Sequence, residues 1–163
     1  MGRVKQVIVV RTKFPDGKGG TIGIRKGKED AQVSHASMAF MSEILRHCLN
    51  KTATLPQTAI DKYLSFMDLS HFVSEVLQET VQQALGADGC IWINGTFDKV
   101  VCAVETDDEL QEIYQKAKDA GLTVHMITDA GKTEFSEPTR TCLAIGPHDE
   151  SRIDPITGHL KLR

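Results

Sequence analysis

The sequence predicts an α/β sandwich built on a small sheet. Short runs rich in β-branched residues recur at residues 6–11, 98–105, 122–128 and 141–145. Segments with apolar residues at helical spacing lie between them. The resulting order is strand, helix, strand, helix, strand, strand, which packs helices against sheet faces.

Residues 6–11 (Gln-Val-Ile-Val-Val-Arg) form a nearly continuous apolar run and read as a buried central strand. Residues 12–28 hold five glycines among Lys13, Lys18, Arg25, Lys26 and Lys28, a basic loop without P-loop or dinucleotide spacing. Asp30 is the expected cap of a helix that runs to His47 or Cys48, and residues 50–56 break it. Residues 57–86 are helical in character, with a fresh start at Asp68 or Ser70 and a stop at Gly86. Residues 90–97 read either as an extra strand with an Asn94-Gly95 turn or as an irregular link. Thr106 and Glu109 form a capping box for a helix that Gly121 ends. Gly146-Pro147 is the expected end of the last strand.

With 163 residues the chain has the length of one domain with a proper core. We read residues 1–163 as that domain, with 50–89 as a helical enlargement. A hydrophobic fraction of 40% and a charged fraction of 25% are those of a globular protein. The net charge of −3 excludes a polycation, so nucleic-acid binding requires a local basic patch. Cys48, Cys90, Cys102 and Cys142 stand far apart, without the paired spacing of a zinc site or a disulfide framework. No apolar run is long enough to span a bilayer and no signal-peptide pattern opens the chain, so a cytoplasmic location is expected.

Two stretches carry candidate chemistry. On a helical wheel Gln32, His35 and Ala39 share one face, with Lys28 at its entry. Val33, Ala36, Phe40, Ile44 and Cys48 make an apolar stripe on the other. A cation, an amide and an imidazole near a helix N-terminus suit a phosphate or a developing oxyanion. Residues 129–133 (Asp-Ala-Gly-Lys-Thr) directly follow the third strand, where loops of α/β folds commonly carry function. Asp129 brings a carboxylate, Lys132 a cation and Thr133 a hydroxyl. Ser34 points away from Gln32, which suggests a packing or helix-bonding role. His47, His71, His125, His148 and His159 are too separated to suggest a metal site.

Together these stretches resemble the signature segments of the second peptidyl-tRNA hydrolase family, the archaeal and eukaryotic type. Lys-Gly-Lys at 26–28, Ala-Gln-Val-Ser-His-Ala at 31–36 and Asp-Ala-Gly-Lys-Thr at 129–133 carry the resemblance. Residues 7–11, 99–101, 121–124, 144–147, Asp154 and 157–162 extend it. It implies a three-layer α/β/α domain with a four-stranded mixed sheet. It also implies a metal-independent hydrolase of the ester joining a peptide to the 3′ end of tRNA, without cofactor, with a homodimer as the expected assembly. Carried over, the catalytic set is Lys28, Gln32, His35, Asp129 and Thr133. Lys18, Arg25, Lys26, Lys132 and Arg140 are the expected tRNA contacts, with Lys13 beside them. Glu29 and Asp30 stand where the family has small or apolar residues, and residues 21–25 lengthen the basic loop. Glu29, Asp30 and the helical enlargement at 50–89 support a rival reading, a catalytically weak RNA-binding or adaptor protein on the same fold.

Overall fold

The computed structural model describes residues 2–53 and 69–163; the side chains of 47–53, 69–78 and 80 lie outside that description. Strand β1 (Val4–Arg11) is buried along its whole length and sits at the centre of a five-stranded sheet. A short hairpin follows, β2 (Phe14–Pro15) with β3 (Thr21–Ile22), inside the stretch that reads as a plain loop. Asp16 closes its turn by accepting from the backbone N–H groups of Lys18 and Gly20, each at 2.8 Å. β4 (Lys99–Val104) runs parallel to β1 with Gln6 opposite Lys99. β6 (Thr139–Asp149) runs antiparallel to β1 with Ile8 opposite Ala144, and β5 (Val124–Asp129) pairs with β6.

The sheet order is β5-β6-β1-β4-β7, one strand more than expected. The fifth, β7 (Lys161–Leu162), is a two-residue edge against Cys102 and Ala103. Two residues are too few to show the alternation that marks a strand in sequence. β6 does not end at Gly146-Pro147. It passes through that cis peptide bond and pairs His148 with Lys5 and Asp149 with Val4.

Helix α1 (Lys26–Ala53) starts earlier than its expected cap. Lys28 and Glu29 both donate their backbone N–H to the Arg25 carbonyl at 2.9 Å, which leaves Asp30 inside the helix. Gly27 in the first turn hides this start, because glycine is a poor helix former. The helix also continues through Asn50. It runs on to Ala53, so the expected break is overturned over 50–53; residues 54–56 of that break and the first part of the helical reading, 57–68, lie outside the described residues. α2 (Leu69–Asn94) bends at Gly86, whose φ of 64° and ψ of −179° interrupt the helix where a stop is expected. A second helical leg then carries Cys90 to Asn94, which replaces the expected strand or link. Four consecutive nonpolar residues at 90–93 fit either period, and burial decides. Trp92 is buried with its indole N–H on the Asp98 carbonyl at 2.8 Å, edge-on to Phe40 and stacked on Phe97.

α3 (Asp107–Asp119) has the expected capping box: Glu109 N–H donates to Thr106 Oγ1 at 3.2 Å and Thr106 N–H to the Glu109 carboxylate at 2.8 Å. α4 (Glu150–Thr157) was not expected; Asp149 caps it and buries Ile153 and Ile156 beneath it. Alternation along β1 splits the core. Val7 and Val9 face Leu110, Ile113 and Ala117 of α3 and Ile153 of α4. Ile8 and Val10 face Ala36 of α1, and Phe40 and Ile44 continue that side toward Val81 and Leu85 of α2. The architecture is three layers, α/β/α. Among the described residues, no helix is long and apolar enough to cross a membrane.

One junction makes stability pH-dependent. His148 lies in β6, not in a loop. Its Nε2 accepts the Thr123 N–H at 2.9 Å, so Nδ1 holds the proton and donates to Asp88 of α2 at 3.3 Å. Burial depresses its pKa below the ordinary 6.5, with Asp88 opposing and Arg152 adding to the shift. Protonation would put a second N–H against that of Thr123. A folded value below the unfolded one means the native state binds fewer protons in between. This contribution is therefore present above about pH 6.5 and lost as pH falls through the folded value. We expect Tm to drop on acidification from about pH 6.5, ahead of the carboxylate region near pH 4, and His148→Gln to flatten that first drop in a thermal melt series.

Candidate active site

Four side chains from three segments meet at one end of the sheet. α1 is seated by Ala36, Phe40 and Ile44, and Gln32 lies one turn earlier on that same stripe, 5% exposed. The wheel expected from sequence is corrected here: Gln32 faces the sheet with the apolar residues, not opposite them. Polar groups on the sheet end make this possible. Thr141 Oγ1 donates to the Gln32 Oε1 at 2.9 Å, and Gln32 Nε2 donates to Asp129 Oδ2 at 3.0 Å. Both ends of the amide are satisfied, which fixes its orientation.

Asp129 is the last residue of β5, opposite Thr139 of β6, and is 8% exposed. Its Oδ1 accepts the Gly131 N–H at 3.0 Å. Gly131 has φ +74°, and a Cβ there would come within 2.5 Å of the Glu137 carbonyl carbon, so the turn requires glycine. Lys28 reaches across from the first turn of α1. Its ammonium pairs with Asp129 Oδ2 and donates to Thr133 Oγ1 at 3.0 Å. The Lys28 hydrogen bond is the largest cause holding the Asp129 carboxyl below its ordinary range; burial opposes it, and Gly131 and Gln32 add to it. Asp129 is thus an ionised acceptor of low basicity. It can fix an ammonium and orient a water better than it can take up a proton. In front of Lys28 and Thr133 opens a groove of about 460 Å³, walled by Arg25, Gly27, Ala31 and Glu134.

The other sequence candidates fall around this cluster. His35 lies on an exposed position of α1 and has no hydrogen bond to a described residue, so it stands apart from the four. Ser34 Oγ donates to the Asp30 carbonyl at 2.9 Å within the helix. Neither departing acid pairs with Lys28. Asp30 takes Lys26 at 2.5 Å, and Glu29, 2% exposed, takes the Arg163 guanidinium through both oxygens at 3.0 and 2.8 Å. Of the expected tRNA contacts, Arg25 pairs with Glu134, Arg140 with Asp107 and Lys13 with Glu105. Lys18 and Lys132 are exposed and make no ion pair with a described residue. Among the described residues no group of three metal-capable side chains comes together.

Sequence reasoning missed Thr141 and Cys142. The Cys142 thiol donates to the Gln32 carbonyl at 3.3 Å, and burial pushes its pKa up to about 12. Both lie in a strand whose pattern says only that it is buried; they reach the same glutamine because the pairing slips from Ile127 opposite Cys142 to Thr128 opposite Arg140, leaving Thr141 as an extra residue that the sequence does not announce.

Comparison with known proteins places this cluster in a lineage. A family model described as peptidyl-tRNA hydrolase PTH2 matches residues 4–163. A peptidyl-tRNA hydrolase of Sulfolobus acidocaldarius is 32% identical over 159 residues, 98% of this chain and 99% of the relative. One from Methanothermobacter thermautotrophicus is 50% identical over 64 residues, 39% of this chain and 57% of the relative. The mouse protein named peptidyl-tRNA hydrolase 2, mitochondrial, is 32% identical over 161 residues, 99% of this chain and 64% of the relative. The match runs from the central strand through the Lys28 and Asp129 segments to the last residues: the chain belongs to the PTH2 family of peptidyl-tRNA hydrolases.

Proposed function

We propose that this chain is a hydrolase that cleaves the ester between a peptide and the 3′ end of tRNA. The observation that carries this reading is the convergence of Lys28, Gln32, Asp129 and Thr133 beside an open groove. Ester cleavage needs a directed water and a stabilised tetrahedral oxyanion. Asp129 orients the water and holds Lys28, Thr133 shares that network, and Lys28 supplies positive charge to the oxyanion or to the terminal phosphate. Gln32 keeps Asp129 in place. His35 makes no hydrogen bond to these four side chains, and no step is assigned to it. The tRNA phosphates fall to Lys18 and Lys132 first, with Arg25, Lys26 and Arg140 as paired cations that can be re-recruited.

The test uses one N-acetyl-aminoacyl-tRNA, with chelator present, and follows release of free tRNA. Turnover is expected. Salt-sensitive tRNA binding without turnover would overturn the reading in favour of a binding protein. We further propose one domain over residues 1–163, enlarged by helical chain in 50–89, in a cytoplasmic location. We also propose a homodimer, supported by the exposed Met38 and Leu45, two turns apart on α1. Light scattering reporting a monomer would remove the dimer.

A further inference from the structure

We propose that the pocket between the β2–β3 hairpin and the 130–138 loop receives the side chain of the amino acid esterified to tRNA, and that it favours large apolar side chains. This rests on the hydrolase reading above. The pocket, about 230 Å³, has an apolar floor of Phe14, Ile22 and Phe135, and Asp16, Glu134 and Glu137 stand in its walls. Phe14 is 1% exposed and its ring lies 4.8 Å from that of Phe135, so the floor is held firmly. Ile22 is 49% exposed, with apolar surface left to cover.

A shared wall sets the pocket beside the reaction. Glu134 lines both this pocket and the groove in front of Lys28 and Thr133. The side chain of the esterified residue leaves the carbon next to the attacked carbonyl. It must therefore enter a depression contiguous with the oxyanion position. Charge selects among occupants. Among the described residues no lysine or arginine lines the pocket, and Asp16 and Glu137 in its walls disfavour a phosphate, with Glu134 already paired to Arg25. Glu134 is already occupied by the Arg25 backbone N–H and guanidinium, and Asp16 by the hairpin N–H groups. What the pocket offers is the apolar surface of Ile22 and Phe135 beside polar, acidic walls, which suits an apolar side chain and rejects an acidic one.

The test acylates one tRNA body with N-acetyl-Phe, N-acetyl-Leu, N-acetyl-Gly and N-acetyl-Asp and compares kcat/KM. Phe and Leu are expected to exceed Gly by about tenfold, with Asp slowest. Ile22→Ala, at a half-exposed position that does not threaten the fold, should lower the Phe and Leu substrates several-fold more than Gly. Equal rates on all four substrates would overturn the inference and leave the hydrolase reading intact. A uniform loss across substrates in Ile22→Ala would also overturn it, since that is the signature of a terminal nucleobase in the pocket. No turnover on any substrate would remove the hydrolase reading, and this inference with it.

Discussion

Asp129→Asn is expected to lower kcat/KM on N-acetyl-aminoacyl-tRNA by about 100-fold or more, in a protein that still melts cooperatively. The loss follows from what surrounds the carboxylate. Asp129 accepts from the Lys28 ammonium, the Gln32 amide and the Gly131 N–H. A carboxamide has one acceptor oxygen and brings an NH2 group that must face one of these donors. It also leaves Lys28 without its counter-charge. Lys28→Ala should cost a comparable factor by a different route. With its largest cause removed, the Asp129 pKa moves up toward the ordinary carboxylate value of 3.8, so the variant's rate should fall off on acidification at a higher pH than the wild type's. The split between kcat and KM assigns the lysine. A fall in kcat alone identifies oxyanion stabilisation, whereas a rise in KM that grows with salt identifies a phosphate contact. Near-normal rates in folded Asp129→Asn would remove Asp129 from the reaction.

The cluster was legible in sequence because its members carry distinctive chemistry at distinctive places. Asp129 and Thr133 stand on a short loop after a strand, and Lys28 opens a helix. Gln32 was legible as a member but not in its orientation. A polar residue is assigned to the polar side of a wheel, and only tertiary contact shows that Thr141 and Asp129 satisfy it on the apolar side. His35 shares the helix with the cluster, but its side chain lies on an exposed position outside the hydrogen-bonded group, which spacing alone does not show. The sheet followed from its β-branched runs. β7 and α4 did not, because a two-residue edge and a helix containing Pro155 carry little periodic signal. Residues 90–93 went to helix because burying Trp92 against Phe40 requires it, a preference that no local window contains.

One of the two departing acids, Glu29, carries the second large effect. Glu29 adjoins Lys28 in the first turn of α1, and its buried carboxylate is held from the other end of the chain by Arg163. The Arg163 hydrogen bond is the largest cause of its lowered pKa, with burial opposing. Arg163→Ala leaves the buried Glu29 carboxylate with only the exposed Lys26 ammonium, 3.8 Å away. Breaking a fully buried pair costs about 3–5 kcal/mol, but Arg163 is 45% exposed and water can reach the site, so about 2 kcal/mol is expected. Glu29→Gln/Arg163→Met removes both charges and should recover most of that loss, because the cost lies in the unpaired carboxylate and not in the missing attraction. Linkage gives the sign with pH. Glu29 has a folded pKa below its ordinary 4.5, so the pair's stability is present above about pH 4.5 and is lost as pH falls through the folded value. Denaturant melts of the two singles and the double at pH 7 and pH 4 measure all of this. The stability gap between wild type and Arg163→Ala should shrink at the lower pH, where the stranded carboxylate takes a proton. A gap that stays constant with pH would assign Arg163 a packing role instead. Because Glu29 and Lys28 are consecutive on one helical turn, the same variants should slow ester cleavage only where they loosen that turn, and Arg163→Lys, which keeps the charge but loses the two-pronged contact, should recover only part of the stability.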